Sequence, residues 1–422
     1  MAAAFIRFAT AAMDALNASV IKESTCCCVV GGGPAGMMLG FLLARAGVKV
    51  LVLEKHGDFL RDFRGDTIHP STLELMHELG LLDEFLKRPH DELRNLQAVI
   101  GDTEIPLADF THLPVRCQFV AFMPQWDFLN FLLEETRRLP NFQLRMEAEA
   151  TDLIQAGGRV VGVTAETTKG ILEVRAALVI AADGRGSTLR ERAGLEVIDM
   201  GAPMDVLWMR LSRRMDDPPQ SLGRANTGAL LIMLNRGEYW QCGFVIQKGT
   251  FDEIFQERLA AFAPLFRERV RELDDWNKIK LLTVKVDRLR RWHRDGLLCL
   301  GDAAHAMSPI AGVGINLAIQ DAVAAANLLA DPLLCGPVDE EILNRVQKRR
   351  ELPTRLTQRL QLFIQNRVIR QVLTTNKPIS SPLFFRLFQY WPWLRRLPAR
   401  FIGIGFRPEH IRTTDAKLRL RD

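Results

Sequence analysis

Three glycines with the spacing G-x-G-x-x-G stand between an apolar run and an apolar helical pattern near the start of the chain. Gly31 suits a tight turn, Gly33 lets the backbone approach a pyrophosphate, and Gly36 allows a helix to pack closely on a strand. Pro34 and Ala35 would open that helix, whose free N–H groups and dipole favour an anion. This glycine turn therefore predicts a phosphate-binding site.

An acidic residue, Glu54, ends the second apolar run, VKVLVLEK, 18 residues after Gly36. A carboxylate at this place accepts hydrogen bonds from ribose hydroxyls and would repel a 2′-phosphate. The strand, glycine turn, helix, second strand and terminal acid together predict a dinucleotide site for FAD or NAD rather than NADP. We include the adjacent Lys55 in this site.

A second polar cluster follows the apolar run ALVIAAD, which ends in Asp183 and continues with Gly184. Ser187 can cap the helix that comes next and carries Arg190. Open α/β sheets bind ligands at the carboxyl ends of their strands, so Asp183 and Gly184 are candidate ligand-binding residues. The alternative is a strand-to-helix turn with an N-cap and no ligand.

A third cluster begins where the apolar run LLCL is followed by Gly301 and Asp302. A loop rich in proline and glycine follows, and a helix is predicted to open near Asn316. Such a loop directs backbone N–H groups towards a delocalised anion. We interpret His305, beside this loop, as a brace, with catalysis as the alternative. The candidate loop residues are Pro309, Gly312, Gly314, Ile315 and Asn316.

The composition is that of an ordinary globular protein, with 422 residues of which 48% are hydrophobic and 25% are charged. It excludes wholesale disorder, a collagen-like chain and a disulfide scaffold. No run of about 18 uncharged apolar residues occurs, so we expect no membrane-spanning helix. The seven cysteines, three of them at 26–28, lack a CxxC spacing and favour reduced thiols in a cytoplasmic protein, with no metal site.

The net charge of +5 is concentrated towards the C-terminal end. From residue 341 onwards, 18 Lys and Arg residues stand against 5 Asp and Glu residues. Residues 381–405 interleave aromatic rings with arginines, a pattern that suits the surface of an anionic membrane. Packing on the fold or homodimerisation is the favoured alternative, because Pro392 and Pro398 interrupt any long amphipathic helix. No nucleic-acid partner is expected.

The three clusters, in this order and at wide spacing, resemble the flavoprotein aromatic hydroxylase family, the single-component FAD monooxygenases typified by para-hydroxybenzoate hydroxylase. The similarity covers roughly residues 26–350. It implies non-covalent FAD, NAD(P)H as co-substrate, and O₂, which gives a C4a-hydroperoxyflavin whose distal oxygen hydroxylates an electron-rich ring. It also implies that no separate NAD(P)H domain exists.

The resemblance assigns roles to individual residues. The glycine turn matches the loop that holds the FAD pyrophosphate, and Glu54 matches the acid on the adenosine ribose. Arg64 matches an arginine that reaches the cofactor, and Gln125 matches a glutamine near the pyrophosphate. Asp183 and its glycine resemble a motif that serves FAD and NAD(P)H, while Asp302 resembles the aspartate at the ribityl and pyrophosphate region. The loop from 309 to 316 resembles the one beside the isoalloxazine.

The chain departs from the family pattern in having only two tyrosines, Tyr239 and Tyr390. The tyrosine pair that activates the phenol in the benzoate hydroxylase is therefore not reproduced, and no catalytic residue beyond the flavin is identified. Two alternatives stay open. One is an FAD-dependent reductase or dehydrogenase that works without oxygen insertion, and the other is a flavin-binding protein without catalysis.

We predict an α/β fold in which a Rossmann-like FAD-binding domain, with its βαβ unit and a β-meander at 141–180, carries an inserted, mostly antiparallel β-sheet substrate domain. A basic helical segment with a kink at Pro353 follows. The predicted ranges are 25–94 with 121–197 and 285–345 for the FAD-binding domain, 95–120 with 198–284 for the substrate domain, 346–422 for the helical segment, and 1–24 for a flexible extension.

The predicted antiparallel layer offers one face to a substrate. Alternation along 203–212 puts Trp208 and Arg210 on one face, and alternation along 238–246 does the same for Tyr239 and Gln241. With Pro309 of the flavin loop they form the predicted substrate site, between that loop and the sheet. Few charges occur there, so we expect a largely apolar aromatic or polycyclic phenol as the substrate.

Overall fold

The computed structural model of the protein describes residues 20–60, 67–101, 103–217, 222–226, 228–250, 268–273, 278–375 and 383–416. Two sequence-based predictions lie outside these ranges: Arg64 and nearly all of the 1–24 extension.

Strands and helices alternate first and helices dominate later in the chain. The strands are β1 (Ile21–Val30), β2 (Val50–Leu53), β3 (Thr67–Ile68), β4 (Asp91–Leu93), β5 (Asn95–Ile100), β6 (Thr103–Asp109), β7 (Val120–Phe122), β8 (Phe142–Arg145), β9 (Ala148–Ala156), β10 (Arg159–Thr167), β11 (Gly170–Ala181), β12 (Val197–Asp199), β13 (Met204–Ser212), β14 (Leu222–Asn226), β15 (Ala229–Asn235), β16 (Tyr239–Gln247), β17 (Ile279–Leu282), β18 (Asp287–Leu289), β19 (His293–Arg294) and β20 (Leu297–Cys299). The α-helices are α1 (Pro34–Arg45), α2 (Pro70–Glu78), α3 (Leu82–Phe85), α4 (Gln125–Thr136), α5 (Thr188–Arg192), α6 (Val313–Cys335), α7 (Glu340–Ile364), α8 (Arg370–Thr374), α9 (Leu383–Tyr390) and α10 (Arg396–Gly403). A π-helical segment, Gln365–Ile369, joins α7 to α8.

The larger sheet runs in the order β19-β20-β11-β1-β2-β8, with β10 and β9 added to β11 as an antiparallel meander. The strands β20, β11, β1, β2 and β8 are parallel to one another. The last four residues of β1 and β11 and all of β2 are apolar and buried, as parallel strands covered on both faces require. The helix α1, apolar nearly all round, packs against α4 and α6, so it forms part of the core.

The second sheet has seven strands in the order β17-β13-β16-β15-β14-β5-β6, almost all antiparallel. The early strands β5 and β6 join it through a parallel pairing of β5 with β14. Two small sheets, β3-β7-β4 and β12-β18, are formed by segments that lie in sequence between strands of the two larger sheets. The predicted fold class is thereby confirmed, while the exact domain boundaries stay a prediction.

Helix α6 is long and apolar enough to cross a membrane, but most of it is buried inside the fold. Its apolar residues cover the parallel sheet and α1, which explains why a helix of this composition occurs in a core.

Four local expectations need correction. Strand β1 begins at Ile21, because residues 21–25 pair with 172–176 of β11, so the fold starts before the predicted residue 25. Strand β8 pairs in parallel with β2 and does not belong to the meander. Helix α6 begins at Val313, ahead of Asn316. Helix α7 continues through Pro353, and the irregular helical geometry follows later, in the π-helical segment.

Candidate functional site

The three sequence clusters meet at one edge of the parallel sheet. They follow β1, β11 and β20, which are adjacent parallel strands, so their carboxyl ends lie side by side. Two backbone bonds join the ends: Ala182 N–H donates to Val30 O at 2.7 Å, and Leu300 N–H donates to Ala181 O at 2.9 Å. This is the edge at which open α/β sheets bind ligands.

The glycine turn shows three different steric requirements. Gly31 has φ of +109°, and a Cβ there would lie 2.2 Å from Ala182 O. A Cβ on Gly36 would lie 1.9 Å from Gly31 O, so only glycine lets α1 approach the turn. Around Gly33, none of the described residues comes within 4 Å of a Cβ position. This open cradle fits the backbone approach of a pyrophosphate.

The N-terminus of α1 is free to receive an anion. Pro34 occupies its first position, Ala35 is buried behind it, and no side chain among the described residues caps the first turn at Gly33. The residues present therefore fit a dinucleotide phosphate, since the helix N-terminus offers unsatisfied N–H groups and a positive dipole end.

Glu54 at the end of β2 is buried and fixed by the backbone around it. Its Oε2 accepts from Gly32 N–H at 2.8 Å and its Oε1 accepts from His56 N–H at 3.0 Å. The carboxylate is thus held against the glycine turn, where the ribose acid is expected. Lys55 is exposed and its Nζ lies 3.6 Å from Glu149 Oε1, so its predicted cofactor contact stays a prediction.

Asp183 has one carboxylate oxygen that fits a ligand hydroxyl. Its Oδ2 accepts from Leu189 N–H at 3.2 Å, while its buried Oδ1 has no hydrogen-bond partner in the described part of the chain. Burial raises the pKa of this carboxyl above its ordinary value, although hydrogen bonds from Ser187 and the backbone act in the opposite direction. Gly184 beside it has φ of +86°. Ser187 caps α5 as predicted, accepting from Arg190 N–H at 3.1 Å.

Two arginines that the sequence did not single out as site residues connect the second and third clusters. Arg185 Nη2 donates to Asp302 Oδ2 at 3.1 Å. The buried Arg190 donates to Arg185 O at 2.6 Å and to Ala303 O at 3.3 Å. The available signal was their position after the Asp-Gly pair, Arg185 directly and Arg190 six residues after Gly184. Asp302 thereby lies at the sheet edge beside Arg185, a cation that can contact a phosphate.

The loop after Asp302 is held in an unusual backbone conformation. Ala311 and Gly312 both have φ of +61°, and a Cβ on Gly312 would lie 2.2 Å from Thr67 Oγ1. The side chain of Asn316 accepts from His69 N–H at 2.9 Å and donates to Thr67 O at 3.0 Å. Asn316 therefore ties the loop to the segment before α2, and its predicted cofactor contact stays a prediction.

For the remaining predicted cofactor residues, the described part of the chain shows no side-chain contact that reveals a role. Pro309 opens a short 3₁₀ turn ahead of α6, while Gly314 and Ile315 lie in the first turn of α6 and are partly exposed. Gln125 is the first residue of α4, after Pro124, and is half-buried. Their contacts with a cofactor stay predictions.

His305 belongs to a buried chain of charges, as expected of a brace. Its Nε2 lies 2.6 Å from Asp321 Oδ2, and Arg350 Nε donates to Asp321 Oδ1 at 2.8 Å. Arg350 also reaches Glu409 Oε1 at 3.4 Å. Burial alone would raise the pKa of Asp321, but His305 and Arg350 outweigh it and lower that pKa. Both acids are thus matched by cations, and no group of three potential metal ligands occurs among the described residues.

The predicted substrate residues share one face of the second sheet. Trp208 lies opposite Gly243, and Arg210 lies opposite Gln241 in the β13–β16 register. The Arg210 guanidinium lies 3.7 Å from the centre of the Tyr239 ring. Gln241 is buried and accepts from Arg236 Nε at 3.2 Å.

This face is directed towards the loop of the third cluster. Trp208 and Ile310 pack against the same apolar cluster. The buried members of that cluster are Met204, Val206, Val245, Val284, Val286 and Ile369. A cavity of about 430 Å³ opens beside it, with Met200, Leu362 and Leu373 in its apolar lining and Lys248 and Arg370 among its polar residues. The sheet face and the loop therefore share an apolar cluster, while the cavity is lined by other residues than the predicted substrate residues. The substrate site between sheet and loop stays a prediction.

Comparisons with known proteins agree with this geometry. The profile of a family described as FAD binding domain matches residues 24–359. The 6-methylpretetramide 4-monooxygenase of Streptomyces rimosus is 33% identical over 383 residues, which cover 86% of this chain and 90% of that protein.

Two solved structures share the fold. The anhydrotetracycline hydroxylase of Streptomyces rimosus has a TM-score of 0.69 at 23% identity, over 90% of this chain and 76% of that chain. The p-nitrophenol 4-monooxygenase of Pseudomonas putida DLL-E4 has a TM-score of 0.72 at 20% identity, over 90% of this chain and 97% of that chain. At these identities the likeness establishes the fold alone.

Proposed function

Since this chain belongs to the FAD binding domain family and is an FAD-dependent monooxygenase, we propose that it hydroxylates a largely apolar, polycyclic phenol with NAD(P)H and O₂. The observation that carries the proposal is the meeting of three ligand-binding clusters at one sheet edge, opposite an apolar antiparallel face. When bound, FAD would take electrons from NAD(P)H and activate oxygen, chemistry that no side chain supplies.

The residues of this chain would hold and orient the two molecules. The glycine turn and the N-terminus of α1 would bind the pyrophosphate, and Glu54 would accept from the adenosine ribose. Asp183, whose Oδ1 has no partner among the described residues, and Asp302 would accept from hydroxyls further along the cofactor, and Arg185, beside Asp302, would contact a phosphate. The loop that contains Ala311 would provide backbone N–H groups for the flavin edge.

The substrate class rests on the enclosing surfaces and on the relatives. The sheet face presents the rings of Trp208 and Tyr239, and Trp208 packs on the same apolar cluster as Ile310 of the loop. The relative named for 6-methylpretetramide supports a substrate of comparable ring content. The apolar cluster around Trp208 and Ile310 would keep water away from the reacting ring.

The deciding experiment is a screen of polycyclic phenols for stimulated NAD(P)H oxidation, with mass spectrometry of the product. A product that has gained one oxygen atom, formed only in the presence of O₂, would support the proposal. Turnover of the same compound under anaerobic conditions would instead support the reductase alternative. Bound FAD without stimulated oxidation by any compound would support a flavin-binding protein without catalysis.

We also propose peripheral contact with an anionic membrane through the C-terminal aromatic residues. Helices α9 and α10 pack on β6, with Phe388 and Ala399 buried. Four large side chains remain more than half exposed: Tyr390, Trp391, Trp393 and Leu397. No Asp or Glu occurs anywhere in residues 352–408. Exposed rings can enter the headgroup region of an anionic membrane, and the Lys and Arg residues around them in the sequence can bind its headgroups.

Sedimentation with liposomes tests this contact. Vesicles rich in phosphatidylserine should bind the protein at low salt and release it at high salt, whereas neutral phosphatidylcholine vesicles should not bind it. The variant Trp391→Ser with Trp393→Ser should lose the binding, while Phe363→Ser, at an equally exposed ring on α7, should retain it. Absence of sedimentation at low salt, or concentration-dependent dimerisation lost in the double variant, would contradict the membrane proposal. A cytoplasmic location stays a prediction.

A further inference from the structure

One buried face of α7 is polar. Gln358, Gln361 and Gln365 are each no more than 1% exposed, although glutamine is normally a surface residue. They follow one another at intervals of three and four residues, so they lie on the same side of the helix. Buried amides are stable only with hydrogen-bond partners, and the partners of these three amides are in and next to the flavin loop.

The side-chain amide of Gln361 forms a pair of hydrogen bonds with the backbone of Ser308, as a neighbouring β-strand would. Its Oε1 accepts from Ser308 N–H at 3.2 Å, and its Nε2 donates to Ser308 O at 3.0 Å. The same Nε2 lies 3.1 Å from Ile310 O. Gln365 Nε2 donates to Ser308 Oγ at 2.7 Å. One helix face therefore holds the backbone on both sides of Pro309.

The two neighbouring segments are fixed as well. Gln358 Nε2 donates to Asp287 O at 2.7 Å and lies 3.2 Å from Ala306 O, just before the loop. At the far end of the loop, Asn316 and Thr67 hold Gly312. Between these supports lies Ala311, a non-glycine residue in the left-handed region, which persists only when its surroundings fix it.

We propose that Gln361 and Gln365 are positioning residues that set the conformation of the flavin loop for FAD. They act through Ser308 and Ile310 and need not touch the cofactor. The inference rests on the proposed function, which assigns this loop to the flavin. The π-helical segment that starts at Gln365 agrees with it, because such segments occur frequently at functional sites.

Gln347 provides a matched control on the same helix. It is 8% exposed, its Oε1 accepts from Trp292 N–H at 2.9 Å, and its Nε2 donates to Arg290 O at 3.1 Å. It thus makes the same kind of backbone bonds, but to a segment outside the loop. Substitution by methionine preserves the length of the side chain and removes the amide in each case.

The measurements are FAD affinity by flavin fluorescence and amide hydrogen exchange of the FAD-free protein. Gln361→Met should raise the FAD dissociation constant about tenfold and Gln365→Met about threefold, whereas Gln347→Met should change it less than about twofold. Exchange at Ser308, Ile310 and Gly312 should accelerate in Gln361→Met and not in Gln347→Met. Both of these variants should lower the thermal midpoint, since both lose buried backbone bonds.

Equal FAD affinity and equal loop exchange in Gln361→Met and Gln347→Met would overturn the proposal. Should Gln361→Met fail to fold, Gln365→Met decides by the same comparison, because it loses only its bond to Ser308 Oγ. Neither readout needs turnover. A failure of the proposed function would be recognised separately, as wild-type protein that binds FAD but forms no oxygenated product.

Discussion

A valine at Gly33 should abolish tight FAD binding without harming the fold. Gly33 has φ of −75° and ψ of −176°, an extended conformation that any residue adopts. No atom of the residues that the structure describes lies within 4 Å of the position where its Cβ would stand. The branched side chain would therefore fill only the space where a pyrophosphate must approach the backbone.

The substitution should weaken FAD binding strongly and stabilise the FAD-free protein slightly. Each hydrogen bond between a backbone N–H and a phosphate contributes about 1.5–3 kcal/mol, so loss of one or two should raise the FAD dissociation constant roughly a hundredfold. Stability of the FAD-free protein should change by about 0.4–1 kcal/mol, and upwards, because glycine loses more chain entropy on folding than valine. Titration of flavin fluorescence and urea unfolding of the FAD-free protein measure the two quantities.

Two further glycines give this prediction its controls. Among the described residues, Gly223 in β14 also has nothing within 4 Å of a Cβ position, so Gly223→Val should leave FAD affinity nearly unchanged and raise the stability by a similar amount of about 0.4–1 kcal/mol. A Cβ on Gly36 would lie 1.9 Å from Gly31 O, so Gly36→Ala should destabilise the FAD-free fold by about 1–3 kcal/mol or more. Full flavin occupancy in purified Gly33→Val protein would refute the assignment of the pyrophosphate site.

Three other changes test separate parts of the site. Asp302→Ala should weaken FAD binding by about 1.5–3 kcal/mol and barely alter stability, because its pair with Arg185 is about one-third exposed; unchanged affinity would remove Asp302 from the site. Trp208→Ala and Tyr239→Ala should each divert NAD(P)H oxidation towards hydrogen peroxide, and normal coupling in both would place the substrate elsewhere. Burial lowers the pKa of His69 from 6.5 to about 4, against the opposing effect of its bond to the Ile402 carbonyl, so its protonation favours the unfolded chain. Stability should thus fall by about 3 kcal/mol as the pH drops from 6.5 to about 4, a loss that His69→Gln should reduce if the assignment is right.

The sequence predicted the parallel core and the three clusters because each part carries a short-range signal. A glycine spacing, an acid at a strand end and a continuous apolar run are all visible within about 30 residues. Alternation along β13 and β16 likewise predicted that Trp208 and Arg210 share a face, and the register confirms this. The role of Asn316 was predictable only in part. The sequence placed it among the cofactor residues, but in the structure its side chain also ties the loop to Thr67 and His69.

The polar supports of the site could not be predicted in the same way. Helix α7 shows glutamines, threonines and arginines at helical spacing, a pattern that normally indicates a solvated face. In the structure this face is buried, because it bonds to backbone groups of distant segments, such as Asp287 O, which lies 71 residues from Gln358 in sequence. The role of Arg190 could not be predicted for the same reason. It donates to Arg185 O in the second cluster and to Ala303 O in the third, and only the fold brings these two oxygens together.

The order of strands in the parallel sheet also constrains how the protein can be made. Its central strand β11 pairs with β1 on one side and with β20 on the other, and α6 then covers α1. During synthesis, β1, β2 and β11 are complete more than 100 residues before β20. Until β20 and α6 have left the ribosome, one edge of β11 stays unpaired and one side of α1 stays uncovered. Unpaired edges of this kind favour aggregation during synthesis. FAD, whose predicted site includes residues on both sides of that interval, can therefore stabilise the fold only after the ribosome has delivered the C-terminal third of the chain.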